Sequence, residues 1–279
     1  MPTLLEYFLF PPKKIDLPTL HQQLAHKTIL ITGASFGIGA HTAQLLAAPQ
    51  VHLILVARSP APLKALQQEL QEKGAHVSYF PTDLTQPEQV DALLHQLHLL
   101  GKNLDIIINN AGRSILRSIH QAKDRYHDFE RTMRVNYLGP VRLLLPLLEG
   151  LEQQNGQLIN SSAVNVLLLP APYWSAYQAS KTAFDQWLRA VAPELRAKGV
   201  QCSSIYFPLV RTRMIAPTKA YANTPALSPQ QAALIIGQTI LTRSTQYQPW
   251  WLVFAQLGTA FFRRPWEWAC TWWIKYQSK

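Results

Sequence analysis

The sequence predicts an α/β protein: a doubly wound, Rossmann-type fold of three layers around a parallel β-sheet of about seven strands. Three observations predict it. Apolar strand-like runs alternate with helical patterns from Thr28 to Tyr206. A glycine-rich turn closes the first run. The polar motifs that follow stand at the end of a strand-like run or on the next helix, where such sheets carry their ligands. The length, 279 residues, suits one large domain with a core ample for stability, and no internal repeat or flexible linker marks a second.

Strands are expected near 28–32, 52–57, 76–80, 105–109, 156–161 and 200–206, and helices near 38–48, 61–73, 87–99, 128–150, 175–198 and 228–242. The first strand runs into Thr32-Gly33-Ala34-Ser35-Phe36-Gly37-Ile38-Gly39, which opens a helix. Glycines let a backbone approach a pyrophosphate, and a helix N-terminus favours its charge. The spacing is G-x-x-x-G-x-G rather than G-x-G-x-x-G, so the turn needs support from the rest of the chain.

That support comes in order. Asp83-Leu84-Thr85 follows the alternating run His76 to Phe80, and Asn109-Asn110-Ala111-Gly112 follows the apolar run at 105–108. Asn136 lies in Val135-Asn136-Tyr137-Leu138-Gly139, Ser161-Ser162 closes the fifth run, and Pro208 follows the sixth. Tyr177 and Lys181 are four apart in a helical segment, so their side chains share a face. A free tyrosine, with a pKa of about 10, is a poor acid-base group near neutrality. A lysine charge about 4 Å away favours the phenolate by roughly 4 kcal/mol at an effective dielectric near 20, up to about 3 pKa units. Lys181 is therefore expected to lower the Tyr177 pKa.

Taken together, these seven motifs give the chain a close resemblance to the short-chain dehydrogenase/reductase superfamily over about residues 26–240. The resemblance implies catalytic roles for Asn136, Ser162, Tyr177 and Lys181. Tyr177 gives a proton to a carbonyl oxygen, Ser162 hydrogen-bonds that oxygen, Lys181 also holds the nicotinamide ribose, and Asn136 holds a relay water. Pro170, eight residues beyond, selects Ser162 over Ser161 as the catalytic serine. Ser162 and Tyr177 are fifteen apart, two more than the family's usual spacing, which places an insertion in the loop 171–174 and brings Trp174 to the substrate.

The resemblance also implies cofactor contacts from Gly33, Ser35, Gly37, Ile38, Gly39, Arg58, Asp83, Leu84, Asn110, Ala111, Gly112, Pro208, Val210 and Thr212, besides Tyr177 and Lys181. Asp83 is expected at the adenine and Thr212 at the carboxamide. The acid that would hold the ribose hydroxyls of NAD is replaced by Ala57, and Arg58 follows. Arginine grips a 2′-phosphate, so the expected cofactor is NADP(H). Leu209 stands where the family usually has glycine, and the threonine comes one residue early.

The string Pro208 to Thr218, with Asn110-Ala111-Gly112-Arg113-Ser114 and Asp128 to Met133, is similar to a bacterial branch linked to long-chain fatty acyl-CoA and fatty aldehyde reduction. That resemblance implies a lipid carbonyl as substrate. A hydroxysteroid- or retinoid-type alcohol dehydrogenase is the alternative, and a non-catalytic NADP-binding protein a remote one. The family also implies a homodimer or homotetramer through the helices at 128–150 and 175–198.

Residues 1–25 form an apolar extension and 244–279 a Trp-rich basic one, on either side of a catalytic domain at 26–243. Six of the eight tryptophans fall between Trp250 and Trp273, and residues 211–279 hold eight Lys or Arg against Glu267 alone. Such segments suit a membrane interface, a lid or a subunit contact. The apolar stretch Pro249 to Phe262 is shorter than the ~20 residues of a spanning helix. The net charge of +10 suits phosphate-bearing ligands, but no nucleic-acid-binding motif accompanies it. The nine histidines show no metal-ligand spacing, and no metal is expected. With two cysteines, Cys202 in a core strand, and no basic stretch before the apolar N-terminus, the expected location is cytoplasmic, with peripheral contact on the inner face of a membrane.

Overall fold

Seven parallel strands form the centre of the protein in a computed structural model that describes residues 3–277 except 217, 219 and 220. Pro217 of the family-like string and the outermost residues of both extensions lie outside the described residues.

Two short helices lead in, α1 (Leu4–Leu9) and α2 (Leu17–Leu24). Then strands and helices alternate: β1 (Thr28–Thr32), α3 (Gly37–Leu46), β2 (His52–Ala57), α4 (Pro60–Glu72), β3 (His76–Pro81), α5 (Pro87–Leu99) and β4 (Ile106–Asn109). The second half holds α6 (Tyr126–Met133), α7 (Gly139–Leu144), α8 (Leu148–Gln153), β5 (Gln157–Ala163), α9 (Ser175–Ala197), β6 (Gln201–Phe207), α10 (Pro229–Thr242) and β7 (Gln246–Tyr247). Helices α11 (Leu252–Phe261) and α12 (Arg263–Gln277) end the chain.

The strand order is β3-β2-β1-β4-β5-β6-β7. The order reverses between β1 and β4, where a doubly wound sheet opens its ligand crevice. The inner strands are apolar on both faces, as a sheet covered by helices on both sides requires. One face buries Ile29, Ile31, Leu53 and Ile159 with Ala43 of α3, Leu63 of α4 and Ile236 of α10. The other buries Leu30, Ile54, Ile107 and Leu158 with Leu93 of α5, Leu143 of α7, and Phe184 and Leu188 of α9.

The six strand positions expected from sequence hold within a residue or two. The seventh strand, only two residues long, lies three residues past the boundary expected at 243. The helix expected over 128–150 is instead a chain of short helices from Tyr126 to Gln153. Arg134–Leu138 widens into a π-turn closed by the Gly139 N–H on the Arg134 carbonyl, and Leu145–Leu147 tightens into a 3₁₀ turn. Pro140 and Pro146 each remove a backbone donor near these breaks. A single π-turn is a common mark of a functional site, and this one carries Asn136.

The N-terminal extension belongs to the same core, because Phe10, Leu20 and Leu24 are buried in it.

Candidate active site

A cavity of about 890 Å³ opens over the C-terminal ends of β1, β2, β4, β5 and β6. Its floor is the glycine turn. Gly33 has φ +68, the left-handed region, and a Cβ there would meet the Ala111 backbone at 2.9 Å. A Cβ on Gly39 would lie 2.3 Å from the Gly33 carbonyl, so the turn folds tightly onto α3 only with glycine there. Thr32 Oγ1 accepts from the N–H groups of Asn110 and Ala111, each at 3.0 Å, and Asn110 Nδ2 donates to the Thr32 carbonyl at 3.1 Å. These bonds lace β1 to β4 across the switch point. The α3 N-terminus, at Gly37 and Ile38, faces the cavity.

One end is cationic. Arg58, Arg113 and Arg131 line it together with Ser35, Ala57, Ser59 and Asp83. Burial lowers the Arg113 pKa, and the charges of Arg131 and Arg58 lower it further. Three converging guanidiniums and a helix N-terminus fit a polyanion, so the residues present suit a dinucleotide. Sequence reasoning gave Arg113 and Arg131 no role, since nothing in their spacing announces convergence.

The other end holds the chemistry. Strand alternation puts Leu158 and Ser162 on one face of the sheet, and Leu158 packs with Phe184 and Leu188 of α9. Ser162 therefore faces the helix that carries Tyr177 and Lys181, and Ser161 points the opposite way. Ser162 Oγ is buried with no hydrogen-bond partner among the described residues, and so is Ser161 Oγ. Lys181 is buried, with Nζ donating to the Ser161 carbonyl at 3.1 Å. Burial pushes the Tyr177 phenol up to about 12, helped by neighbouring Tyr221. Burial pushes Lys181 down to about 8, against the pull of Asp185. The expected lowering of the Tyr177 pKa by Lys181 is thus not found: burial and Tyr221 both push the phenol up, and Lys181, itself held down to about 8, turns its nitrogen to the Ser161 carbonyl.

Of the residues expected at the site, Gly33, Ser35, Gly37, Ile38, Arg58, Asp83, Leu84, Asn110, Ala111, Gly112, Ser162, Trp174, Tyr177, Lys181, Pro208, Val210 and Thr212 all line this cavity. Gly39 and Asn136 stand one layer behind. Asn136 is buried, and its amide is committed: Oδ1 accepts from the Arg113 N–H, while Nδ2 donates to the Arg113 carbonyl and to Ser180 Oγ, each at 2.9 Å. Both amide hydrogens are engaged, so a relay water would have to be held by another of its atoms. What the side chain does is fix the backbone at Arg113.

The inserted loop forms an aromatic wall. Trp174 packs on Tyr177 and on Tyr221, with ring centroids 5.4 and 5.9 Å apart. Gln178 holds this loop, accepting from the Ala171 N–H at 3.1 Å and donating to the Asn165 carbonyl at 2.6 Å. Leu209, Met214 and Ile215 continue the apolar lining. From outside, α12 covers the loop: Trp266 Nε1 donates to the Pro170 carbonyl at 2.9 Å, and Trp273 packs on Tyr173.

A strand-turn-helix cradle with a serine, tyrosine and lysine at its open end defines an oxidoreductase of the short-chain dehydrogenase/reductase family. The chain belongs to that family: the sequence profile described as "short chain dehydrogenase" matches residues 27–222. It is 46% identical over 232 residues to a fatty acyl-CoA reductase of Acinetobacter baylyi, covering 83% of this chain and 78% of the relative. A fatty acyl-CoA reductase of Mycobacterium tuberculosis is 38% identical over 241 residues, covering 86% and 82%. Among solved structures, a short-chain dehydrogenase from Sphingobium yanoikuyae in complex with NADPH superposes with a TM-score of 0.70 at 26% identity, over 79% of this chain and 86% of that one.

Proposed function

We propose that this protein is an NADPH-dependent reductase of a long-chain lipid carbonyl, a fatty aldehyde or fatty acyl-CoA, with Tyr177 as the acid and base. The observation that carries the reading is one cavity lined both by Arg58, Arg113 and Arg131 and by Trp174, Tyr221, Met214 and Ile215, with Ser162 and Tyr177 in the same lining. The fatty acyl-CoA reductases to which the chain is similar support the substrate class.

Arg58 and the absence of a carboxylate at Ala57 favour the 2′-phosphate of NADP(H), and the NADPH-bound relative agrees. When bound, the cofactor supplies the hydride. The chain's own residues do the rest. Tyr177, with its phenol near 12, holds its proton at neutral pH and gives it to the carbonyl oxygen as that oxygen gains charge. Ser162 donates its unpaired hydroxyl to the same oxygen. Lys181, still mostly protonated below pH 8, holds positive charge beside them. Asn136 positions the Arg113 backbone at the rim.

The acyl chain would lie along Trp174, Tyr221, Met214 and Ile215. Phe254, Leu257 and Phe261 of α11 and Trp268, Trp272 and Tyr276 of α12 are exposed, as are Leu4, Leu5 and Phe8 of α1. No described helix is long and apolar enough to cross a membrane. These stripes, flanked by Arg263 and Arg264, support the reading of a cytoplasmic protein in peripheral contact with the inner face of a membrane. Exposed Leu138 and Leu145 on the helical stretch from Tyr126 suit a homodimer or homotetramer.

The test is cofactor oxidation, followed by absorbance, with a long-chain aldehyde and separately its acyl-CoA in detergent. Turnover of either that disappears in Tyr177→Phe supports the reading. NADPH binding without turnover of either would sink it and send the search to steroid and retinoid carbonyls.

A further inference from the structure

Helix α1 buries one side chain, and it is a carboxylate. Leu4, Leu5, Tyr7 and Phe8 are exposed, whereas Glu6 is 6% exposed. Glu6 Oε2 accepts from the Thr3 N–H at 2.9 Å, one half of a capping box for α1 itself. Glu6 Oε1 is not needed for that box. It accepts from the Ala226 N–H at 3.0 Å and from the Arg211 guanidinium.

Arg211 and Ala226 are the two ends of the segment that leaves the sheet after β6 and returns before α10. Its base is a parallel bridge between Val210 and Leu227, with Arg211 N–H on the Leu227 carbonyl at 2.9 Å and Leu227 N–H on the Leu209 carbonyl at 2.8 Å. Between the ends, Thr212, Arg213, Met214, Ile215 and Tyr221 face the cavity. These two backbone bonds close the base among the described residues. Farther along, Tyr221 packs on Trp174 and Arg213 lies over Phe36. The carboxylate adds a tie at the base that reaches both sides.

We propose that Glu6 is a positioning residue for the substrate loop 211–226: by holding both ends of the loop it sets the cavity wall formed by Met214, Ile215 and Tyr221, and through it the affinity for a long apolar substrate. The N–H of Ala226, then that of Thr3, then Arg211 hold the Glu6 carboxyl down near 2, so the tie is charged at any working pH. Charge-assisted bonds of this kind are the ones whose loss is costly, because the partners stay behind unpaired. Glu6 lies outside the region 27–222 that the family profile matches, and its partner Arg211 lies inside it.

The consequence for affinity rests on the lipid-carbonyl reading, and the consequence for loop order does not. Two measurements on the full chain separate them. In Glu6→Gln the KM for a long-chain aldehyde rises about tenfold or more, with kcat within about twofold. The KM for a short aldehyde, which does not reach the wall, moves less. Glu6→Asp keeps the charge but retreats by one methylene, and its KM falls between the two. Tryptic cleavage after Arg211 and Arg213 needs no substrate and accelerates about tenfold in Glu6→Gln. Unchanged cleavage overturns the proposal whatever the kinetics give. So does a fall in kcat as large as the KM rise, or a Glu6→Asp protein no different from Glu6→Gln. Faster cleavage in a protein that turns over no aldehyde would uphold the tie and overturn only the substrate reading.

Discussion

Trp266 and Pro170 are 96 residues apart in sequence, yet the indole N–H of the first donates to the carbonyl of the second at 2.9 Å. The bond fastens the C-terminal helix to the loop leading into Tyr177. Trp273, seven residues on and on the same helix face, packs its ring on Tyr173, whose φ of +71 is unusual for a tyrosine. The tail therefore props the inserted loop.

Removing that prop should change substrate binding before chemistry. Trp266→Phe keeps an aromatic ring and deletes the N–H, a loss of about 1 kcal/mol. The expected result is a rise of about fivefold in KM for a long-chain aldehyde at nearly constant kcat, read by steady-state kinetics. A chain ending at Phe262 loses the Trp273 contact as well and should show the larger rise. A truncated protein with unaltered KM would mean that α12 has no part in the pocket.

Arg58 should decide cofactor preference. Arg58→Ala removes a charged donor from the cationic end, where such bonds are worth about 1.5–3 kcal/mol. NADPH affinity should fall about 10- to 100-fold and NADH affinity hardly at all, measured by titrating the quenching of protein fluorescence. Equal losses for both cofactors would show that Arg58 serves the fold or the pyrophosphate instead.

How much of this was legible in the sequence follows from the range of each signal. The glycine turn, the Asn109-Asn110-Ala111-Gly112 string and the Tyr177–Lys181 pair are local patterns attached to strand ends, and the structure gathers them around one cavity. β1, β2 and β4 were legible because their apolar runs are nearly unbroken, and β3 because its apolar residues alternate. β7 was not, since two residues carry no periodicity. The π-turn at Asn136 was hidden because helix-forming residues read the same with one extra residue per turn. Glu6 with Arg211, and Trp266 with Pro170, are contacts across more than ninety residues, and a single sequence has no signal for them. The expected effect of Lys181 on the Tyr177 pKa fails for a related reason: the lysine lies four residues away and can be read, but the burial that raises the phenol and depresses the lysine itself is tertiary.

Lys181 should cost the protein stability at neutral pH. Its folded pKa of about 8 lies below the ordinary 10.5, so between those values the unfolded chain binds more protons and stability rises with pH. Below pH 8 the buried charge carries the full penalty, of the order of 3 kcal/mol. Tyr177 acts oppositely at higher pH. Its pKa is raised from 10.0 to about 12, so stability falls as pH climbs through that interval. Lys181→Met should be inactive yet more stable than the wild type at pH 7, by about 1–3 kcal/mol, with the rise between pH 8 and 10 abolished. Thermal melts across that pH range check it, and a Lys181→Met variant that melts lower than the wild type at pH 7 would refute the buried-charge penalty.

Asp185 should set the alkaline limit of catalysis. It is buried one helical turn beyond Lys181, and Tyr206 Oη donates to its Oδ2 at 3.4 Å. Burial raises its own pKa, opposed first by the Tyr206 bond and then by the charges of Arg189 and Lys181. Its negative charge in turn holds the Lys181 pKa up against desolvation. Asp185→Asn keeps the acceptor for Tyr206 and the side-chain volume but removes that charge. The Lys181 pKa must then fall further, and the reduction rate, which needs the lysine cation, must begin to decline at lower pH. kcat/KM should be nearly normal at pH 6 and down about threefold to tenfold at pH 8. A carboxylate that only packed the helix against β6 would predict something different, an equal loss at every pH. The shape of the pH–rate profile, more than the size of the loss at any one pH, separates the two.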